Sequence, residues 1–239
     1  MKKQHSADKV FLDARHIHMI GIGGSGMCPI AELLLSRGYK VTGSDRNDNA
    51  NVKRLKSLGI MVYGKHTASN IDGADLVAYS AAVPESNPEM VAASENDIPK
   101  MERSELLGAI TRCYDNVIGV SGTHGKTTVS SMITQILLIN KQNPNAVIGG
   151  KLPMANSSCV VGESETLVCE SCEFVDSFLQ FSPDITVLLN IDDDIWIILR
   201  LWIILKNHLK SLWQWAKSAM QTVMTLMLKT LYQRLIQRL

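Results

Sequence analysis

Asn116-Val117-Ile118-Gly119-Val120 runs directly into Ser121-Gly122-Thr123-His124-Gly125-Lys126-Thr127-Thr128, and Val129 to Asn140 follows with helical spacing. A short apolar strand, a glycine-bearing turn and a helix, in that order, make a phosphate-binding unit. Backbone N–H groups of the turn can cradle phosphates, Lys126 can neutralise charge at the β and γ positions, and the Thr127 hydroxyl can ligate Mg²⁺. Gly122, Thr123, His124, Gly125, Lys126, Thr127 and Thr128 are therefore the candidate site for ATP with Mg²⁺. The spacing departs from the strict P-loop, because Val120 stands where that pattern has its first glycine. His124 reads as a loop-orienting residue without chemistry of its own.

Upstream lies a second turn of the same kind. His16 to Ile20 is a short apolar run that leads into Gly21-Ile22-Gly23-Gly24-Ser25-Gly26-Met27, and Ile30 to Ser36 is helical in spacing. Glycines here permit a tight turn and let backbone N–H groups approach a pyrophosphate at the helix N-terminus. Asp45 follows the next strand, Tyr39 to Gly43. It reads either as the ribose-binding acid of a dinucleotide fold or as a turn residue in Gly-Ser-Asp. The rhythm continues with a helix over Val52 to Leu58, strands at Ile60 to Tyr63 and Asp75 to Ser80, and a loop at Val83 to Pro88. Strands alternating with helices predict an α/β fold with parallel sheets covered on both faces. The strand at Asn116 opens a second unit, with further strands at Val160-Val161, Leu167-Val168 and Ile185 to Leu189. A boundary near residues 111–115 divides the chain into a Rossmann-like unit, 1–112, and a partial ATP-binding unit, 113–194.

Glu170 and Glu173 come just after the strand at Leu167-Val168. Acids at a strand's C-terminal end can hold the Mg²⁺ that bridges nucleotide phosphates, and beside the glycine turn the reading favours Glu173. The chain has 239 residues, a net charge of +1 and five scattered cysteines. An odd, irregular set suits a reducing compartment better than a disulfide framework. Cys169-x-x-Cys172 has no second pair or flanking histidines to complete a zinc site. Met1 to Arg15 is polar and shows no secretory h-region.

With these residues in view, the chain resembles the Mur ligases. The resemblance is dense from His16 to Asp194. It rests on His16 to Met27, Gly43-Ser44-Asp45, Tyr79-Ser80-Ala81-Ala82, Arg103-Ser104-Glu105-Leu106-Leu107, Gly122 to Thr128, Glu170-Ser171-Cys172-Glu173, Ser177-Phe178-Leu179 and Asn190 to Asp194. The turn at Gly122 to Thr128 points to the ligase group, and the turn at Gly21 to Met27 to its alanine-adding branch. The resemblance implies an N-terminal domain holding a UDP-sugar, a central domain holding MgATP and a third domain for the amino acid. It implies ATP-dependent ligation of L-alanine to UDP-N-acetylmuramate through an acyl phosphate, in the cytoplasm, for peptidoglycan precursor synthesis. Carried over, Gly23, Gly24, Ser25 and Gly26 cradle the UDP pyrophosphate, and Asp45, His66, Ser80 and Arg103 are further substrate-side residues. Lys126 and Thr127 hold ATP and Mg²⁺; Lys126 and Glu173 are the catalytic pair, with Glu173 a metal ligand. Cys172 stands where the family often has Asp and is not taken as a ligand. A sibling ligase joining a preformed peptide to the muramate, and a UDP-sugar-binding fragment without catalysis, remain as alternatives.

The pattern stops at one residue. From Ile195 onward there is no Asp, Glu, Gly or Pro, and all four tryptophans lie there. Seven of the 24 basic residues fall in this stretch, so 17 basic residues face 23 acidic ones in 1–194. The family continues with His-Leu/Met-Asp where this chain has Ile195-Trp196-Ile197. One C inserted before the Ile195 codon reads CAT, then (T/C/A)TG, then GAT, which spells that motif. Residues 195–239 are accordingly expected to be an out-of-frame or truncated tail without a native fold, leaving the chain inactive. The rival reading is a basic amphipathic surface segment. Arg200 and Lys206 leave its apolar runs short of the roughly 20 residues that span a membrane.

Overall fold

A computed structural model of the chain describes residues 6–152, 157–170 and 181–190. Two five-stranded sheets with helices against them make it an α/β protein, as the alternating pattern predicts. The first sheet holds β1 (His16–Ile20), β2 (Lys40–Ser44), β3 (Met61–Tyr63), β4 (Leu76–Tyr79) and β5 (Lys100–Glu102) in the order β3-β2-β1-β4-β5, all parallel. Strand order reverses between β1 and β4, and ligands of open parallel sheets bind at the carboxyl ends on either side of such a point. Gly21 to Met27 leaves the end of β1, and Ser80 leaves the end of β4.

The second sheet holds β6 (Asn116–Ser121), β7 (Asn145–Leu152), β8 (Ser157–Val160), β9 (Thr166–Glu170) and β10 (Ile185–Leu188) in the order β10-β6-β9-β7-β8. Only the β7–β8 pair is antiparallel. Helices α1 (Ser6–Asp13), α2 (Cys28–Ser36), α3 (Ala50–Ser57), α4 (Pro88–Glu95) and α5 (Arg103–Arg112) accompany the first sheet. The longer α6 (Lys126–Ile139) follows β6.

Helix α2 joins the two sheets. Cys28 to Leu34 are buried without interruption, as a helix apolar on all sides must be, and α2 packs against β2, β7 and β8. Its one buried acid, Glu32, meets the Arg54 guanidinium at 2.5 Å and accepts from the Ser157 hydroxyl at 3.2 Å. One apolar cluster runs from Ile17, Met19 and Leu76 through Leu33 and Leu107 to Val117, Val147 and Leu167.

Several elements go beyond the sequence pattern. α1 packs on α5 through a buried Arg112–Asp8 pair at 2.5 Å, and Phe11 stacks on Tyr39 at 5.3 Å. α4 begins where the Val83–Pro88 loop ends: Asn87 accepts the Glu89 N–H at 2.8 Å, and Pro88 stands in the first turn, where its missing N–H costs nothing. β5 is three residues long, too short for periodicity to reveal. The expectations for Cys172, Glu173 and the tail from Ile195 fall outside the described residues.

Candidate functional site

The first turn is fastened to the neighbouring strand. Gly21 takes φ +74°, and the N–H groups of Gly21 and Ile22 both donate to the Ser44 carbonyl, at 2.8 and 3.1 Å. The Gly23 N–H donates to Asp45 Oδ2 at 3.0 Å, and its carbonyl accepts from Asn49 at 3.2 Å and Asn51 at 3.0 Å. A Cβ on Gly23 would lie 2.6 Å from Val52 Cγ2 and 2.9 Å from Asp45 Oδ2, so nothing larger than glycine fits. Asp45 Oδ1 accepts the Asn47 N–H at 2.9 Å. Both oxygens thus serve backbone donors. Beyond this latch, Gly24 and Ser25 are exposed, and the Ser25 and Gly26 N–H groups bond to nothing among the described residues.

The second turn carries charge inside it. Gly122 takes φ +140° and Gly125 +84°; Gly125 is the N-cap of α6 and Lys126 its first residue. The Lys126 ammonium donates to the carbonyls of Gly122 and, at 3.2 Å, Thr123. Asn190, just past β10, clamps the turn from the strand next to β6. Its Oδ1 accepts the His124 N–H at 2.9 Å, its Nδ2 donates to the His124 carbonyl at 3.0 Å, and its own carbonyl accepts the Thr123 N–H at 3.3 Å. His124 is thus held through its backbone.

Glu170 ends β9, which pairs with β6 so that Glu170 lies opposite Val120. Its carboxylate accepts from the Thr127 hydroxyl at 3.3 Å and the Ser130 hydroxyl at 2.9 Å. β7 gives it room: a Cβ on Gly149 would sit 2.7 Å from Glu170 Oε2, and one on Gly150 2.7 Å from Thr127 Cγ2. A hydroxyl and a carboxylate beside a lysine fit Mg²⁺, which keeps several waters and binds through one or two carboxylates plus phosphate oxygens. No cage of three His, Cys, Asp or Glu side chains exists among the described residues.

The two turns open on one cavity of about 370 Å³. Gly24, Ser25, Gly26, Ser80 and Arg103 line it from the first sheet, and Lys126, Gly149 and Glu170 from the second. Arg103, the first residue of α5, lies against Gly26, where an added Cβ would come within 3.2 Å of its Cδ. Gly23 stands behind the lining with Asp45. His66 stands apart too, its Nδ1 2.9 Å from Ser44 Oγ and 2.8 Å from Glu89 Oε2. Asn190, Ser130, Gly149 and Gly150 were not legible as site residues, because each acts through a partner distant in sequence. Burial pushes the Cys28 and Cys169 thiols up to about 12.

Residues 16–114 match the family model described as Mur ligase family, catalytic domain. The chain is 44% identical over 181 residues to the UDP-N-acetylmuramate–L-alanine ligase of Clostridium acetobutylicum, covering 76% of this chain and 40% of that one. The enzyme of the same name from Clostridium novyi is 45% identical over 180 residues, covering 75% and 39%. Among solved structures, UDP-N-acetylmuramate-alanine ligase MurC from Thermotoga maritima aligns with a TM-score of 0.71 at 31% identity, over 75% of this chain and 42% of that one. The UDP-N-acetylmuramate:L-alanyl-gamma-D-glutamyl-meso-diaminopimelate ligase from Neisseria meningitides aligns at 0.68 and 27% identity, over 74% and 61%. The chain spans about two fifths of the length of the curated relatives it matches.

Proposed function

Because the N-terminal three quarters of this chain belong to the Mur ligase family, we propose that the protein serves the ATP-dependent ligation of L-alanine to UDP-N-acetylmuramate. One observation carries the reading: both glycine turns face the same cavity. A UDP-sugar anchored at one turn can thereby present its carboxylate to a nucleotide triphosphate anchored at the other. Residues 1–112 form the sugar-nucleotide unit and 113–194 part of the ATP unit, working in the cytoplasm, where free thiols such as Cys28 and Cys169 persist.

The N–H groups of Ser25 and Gly26, with Arg103, take the UDP pyrophosphate, and Ser80 binds alongside. The muramate carboxylate attacks the γ-phosphorus, the bond to the β,γ-bridging oxygen breaks, and ADP leaves. The alanine amine then attacks the acyl carbon, the bond to phosphate breaks, and an amide forms. Phosphoryl transfer of this kind needs positioning and charge neutralisation above all. Lys126 supplies a fixed positive charge at the β- and γ-phosphates. Mg²⁺, held by Thr127 and Glu170 with Glu173 contributing from outside the described residues, would neutralise the remaining phosphate charge.

Calorimetric titration of the chain with UDP-N-acetylmuramate and with MgATP tests this. Each should bind alone; ADP release that requires sugar, ATP and L-alanine together is expected only of the chain restored in frame at codon 195. Binding of a nicotinamide dinucleotide in place of the UDP-sugar would overturn the reading. The likeness to the Neisseria meningitides enzyme supports a second reading, in which the amine is a peptide, and the amine that triggers ADP release separates the two.

A further inference from the structure

Thr127 and Ser130 stand three residues apart on α6, so their hydroxyls share one face of the helix. Both reach Glu170 at the end of β9, and each takes its own carboxylate oxygen. Oε1 accepts from Ser130 at 2.9 Å, and Oε2 from Thr127 at 3.3 Å. The surroundings of the two oxygens differ. Ser130 is fully buried and is not among the residues that line the cavity. Thr127 is exposed, and Glu170 lines the cavity together with Gly149. Oε1 is thus turned into the protein, and Oε2 toward the side that Thr127 and Gly149 share with solvent.

The Ser130 hydroxyl has one proton and two acceptors within reach, Glu170 Oε1 and the Thr127 carbonyl at 3.2 Å. The carboxylate is the closer, and a hydrogen bond to a carboxylate is about twice as strong as one to a neutral group. Oε1 therefore receives the proton. On the opposite side the wall is main chain. Gly149 and Gly150 lie beyond Val147, the last residue of β7 that pairs with β9. A Cβ on Gly149 would stand 2.7 Å from Glu170 Oε2 and 3.5 Å from Thr127 Oγ1, and one on Gly150 2.7 Å from Thr127 Cγ2. Neither glycine takes a positive φ, so the backbone conformation does not call for glycine at either position. What the two glycines provide is room beside Oε2 and Thr127 Oγ1, a cradle for a small cation at the edge of the cavity.

Divalent cations differ in what they ask of a carboxylate. Mg²⁺ demands near-octahedral geometry at about 2.0–2.1 Å, which sets neighbouring ligand oxygens about 3.0 Å apart. That is wider than the two oxygens of one carboxylate, so Mg²⁺ takes one of them. Ca²⁺ binds at about 2.3–2.6 Å in looser geometry and accepts both oxygens together. An oxygen already committed to a buried hydroxyl is withheld from that second arrangement.

We propose that Ser130 is a positioning residue that sets cation choice at the nucleotide turn. By holding Oε1 it confines Glu170 to ligation through Oε2, which suits Mg²⁺ and discriminates against Ca²⁺. Gly149 is its counterpart and keeps the space beside Oε2 open. The inference rests on reading Gly122 to Thr128 as the ATP site; the discrimination between cations does not follow from that reading.

Calorimetric titration of the full chain with preformed MgATP and CaATP, at saturating cation, tests the proposal. The unsubstituted chain should bind MgATP about tenfold more tightly than CaATP, the worth of one hydrogen bond to a charged group. Ser130→Ala should bring that ratio close to one, with MgATP weakened and CaATP held or tightened. Ser130→Cys, similar in size and only a weak donor, carries the same expectation should the alanine variant not fold. Gly149→Ala sets a methyl against the far end of a flexible side chain. It should keep its urea midpoint and weaken MgATP and CaATP alike, about tenfold. UDP affinity should stay the same in every variant. Equal affinity of the unsubstituted chain for the two complexes overturns the proposal. So does a folded Ser130 variant that loses both in the same proportion, the result expected of a hydroxyl that only packs α6 on β9. A folded Gly149→Ala that binds both at full strength overturns the cradle. Failure of the unsubstituted chain to bind ATP with either cation overturns the nucleotide reading itself, whereas binding of both without discrimination overturns the role of Ser130 alone.

Discussion

The two glycine turns solve different problems with the same local plan of strand, turn and helix. The first contains no charged residue between Gly21 and Met27. Its shape is held by neutral and acidic neighbours (the Ser44 carbonyl, Asp45, Asn49 and Asn51), which occupy the inner backbone groups and leave the outer N–H groups facing the cavity. The second carries Lys126 within the turn, stands at the head of a 14-residue helix and is clamped by a residue 66 positions away. A pyrophosphate that is only held needs donors in a fixed shape. A phosphate that is transferred also needs positive charge at the reacting end. On the proposed function, the difference makes the first turn an anchor and the second a reaction site.

Lys126→Ala should break the comparison hardest. Losing the ammonium should weaken MgATP binding about 100-fold, at the upper end for hydrogen bonds to charged groups, and leave UDP binding unchanged by calorimetry. Equal losses at both sites would show that the turns do not divide the work. Gly23→Ala tests the other side. Its methyl has no room beside Val52 and Asp45, so a cost of about 2 kcal/mol in urea unfolding is expected, with UDP binding impaired and ATP binding spared in the folded fraction. Asn190→Ala removes both side-chain hydrogen bonds to His124. About tenfold weaker MgATP binding, with UDP unaffected, should follow; no change would mean that the turn holds its shape by itself.

The smallest effect is one of pH. Glu89 is depressed from 4.5 to about 2 by donors that outweigh its burial. A depressed carboxylate stabilises the folded state fully above its unfolded value. That contribution is therefore whole above about pH 4.5 and is lost progressively as pH falls toward 2. Urea midpoints measured across this window should decline, and Glu89→Gln should flatten the decline. A parallel decline in the variant would assign the acid sensitivity to other carboxylates.

Both turns were legible because their glycines, Lys126 and Thr127 are contiguous in the chain and follow recognisable apolar strands. Ser80 and Arg103 came only with the family resemblance, since a lone serine at a strand end and a lone arginine carry no local signature. Glu170 stood in the sequence as one of two acids, and its hydrogen bonds to Thr127 and Ser130 bring it to the nucleotide turn. Gly149 and Gly150 were silent, and Asn190 stood only in a stretch that carries the resemblance, with no role attached. Their importance is a matter of distance to a partner on another strand, and periodicity reports only the neighbours along one element. The hydrogen bonds that hold Glu89 were silent for the same reason: the donors Ser44, His66 and Asn70 come from β2 and from segments distant in sequence from α4.

The sequence by itself determined the α/β class and the two glycine turns between strand and helix, because backbone conformation, glycine tolerance and strand or helix period are local properties. Tertiary structure alone decided that the turns share one cavity, that Asp45 latches Gly23, that Asn190 clamps His124, and that a buried carboxylate stands behind His66. Those facts depend on strand order and on how a largely apolar helix, α2, sinks between two sheets to bury its surface. That burial is a property of the whole packed chain, which no window of residues contains.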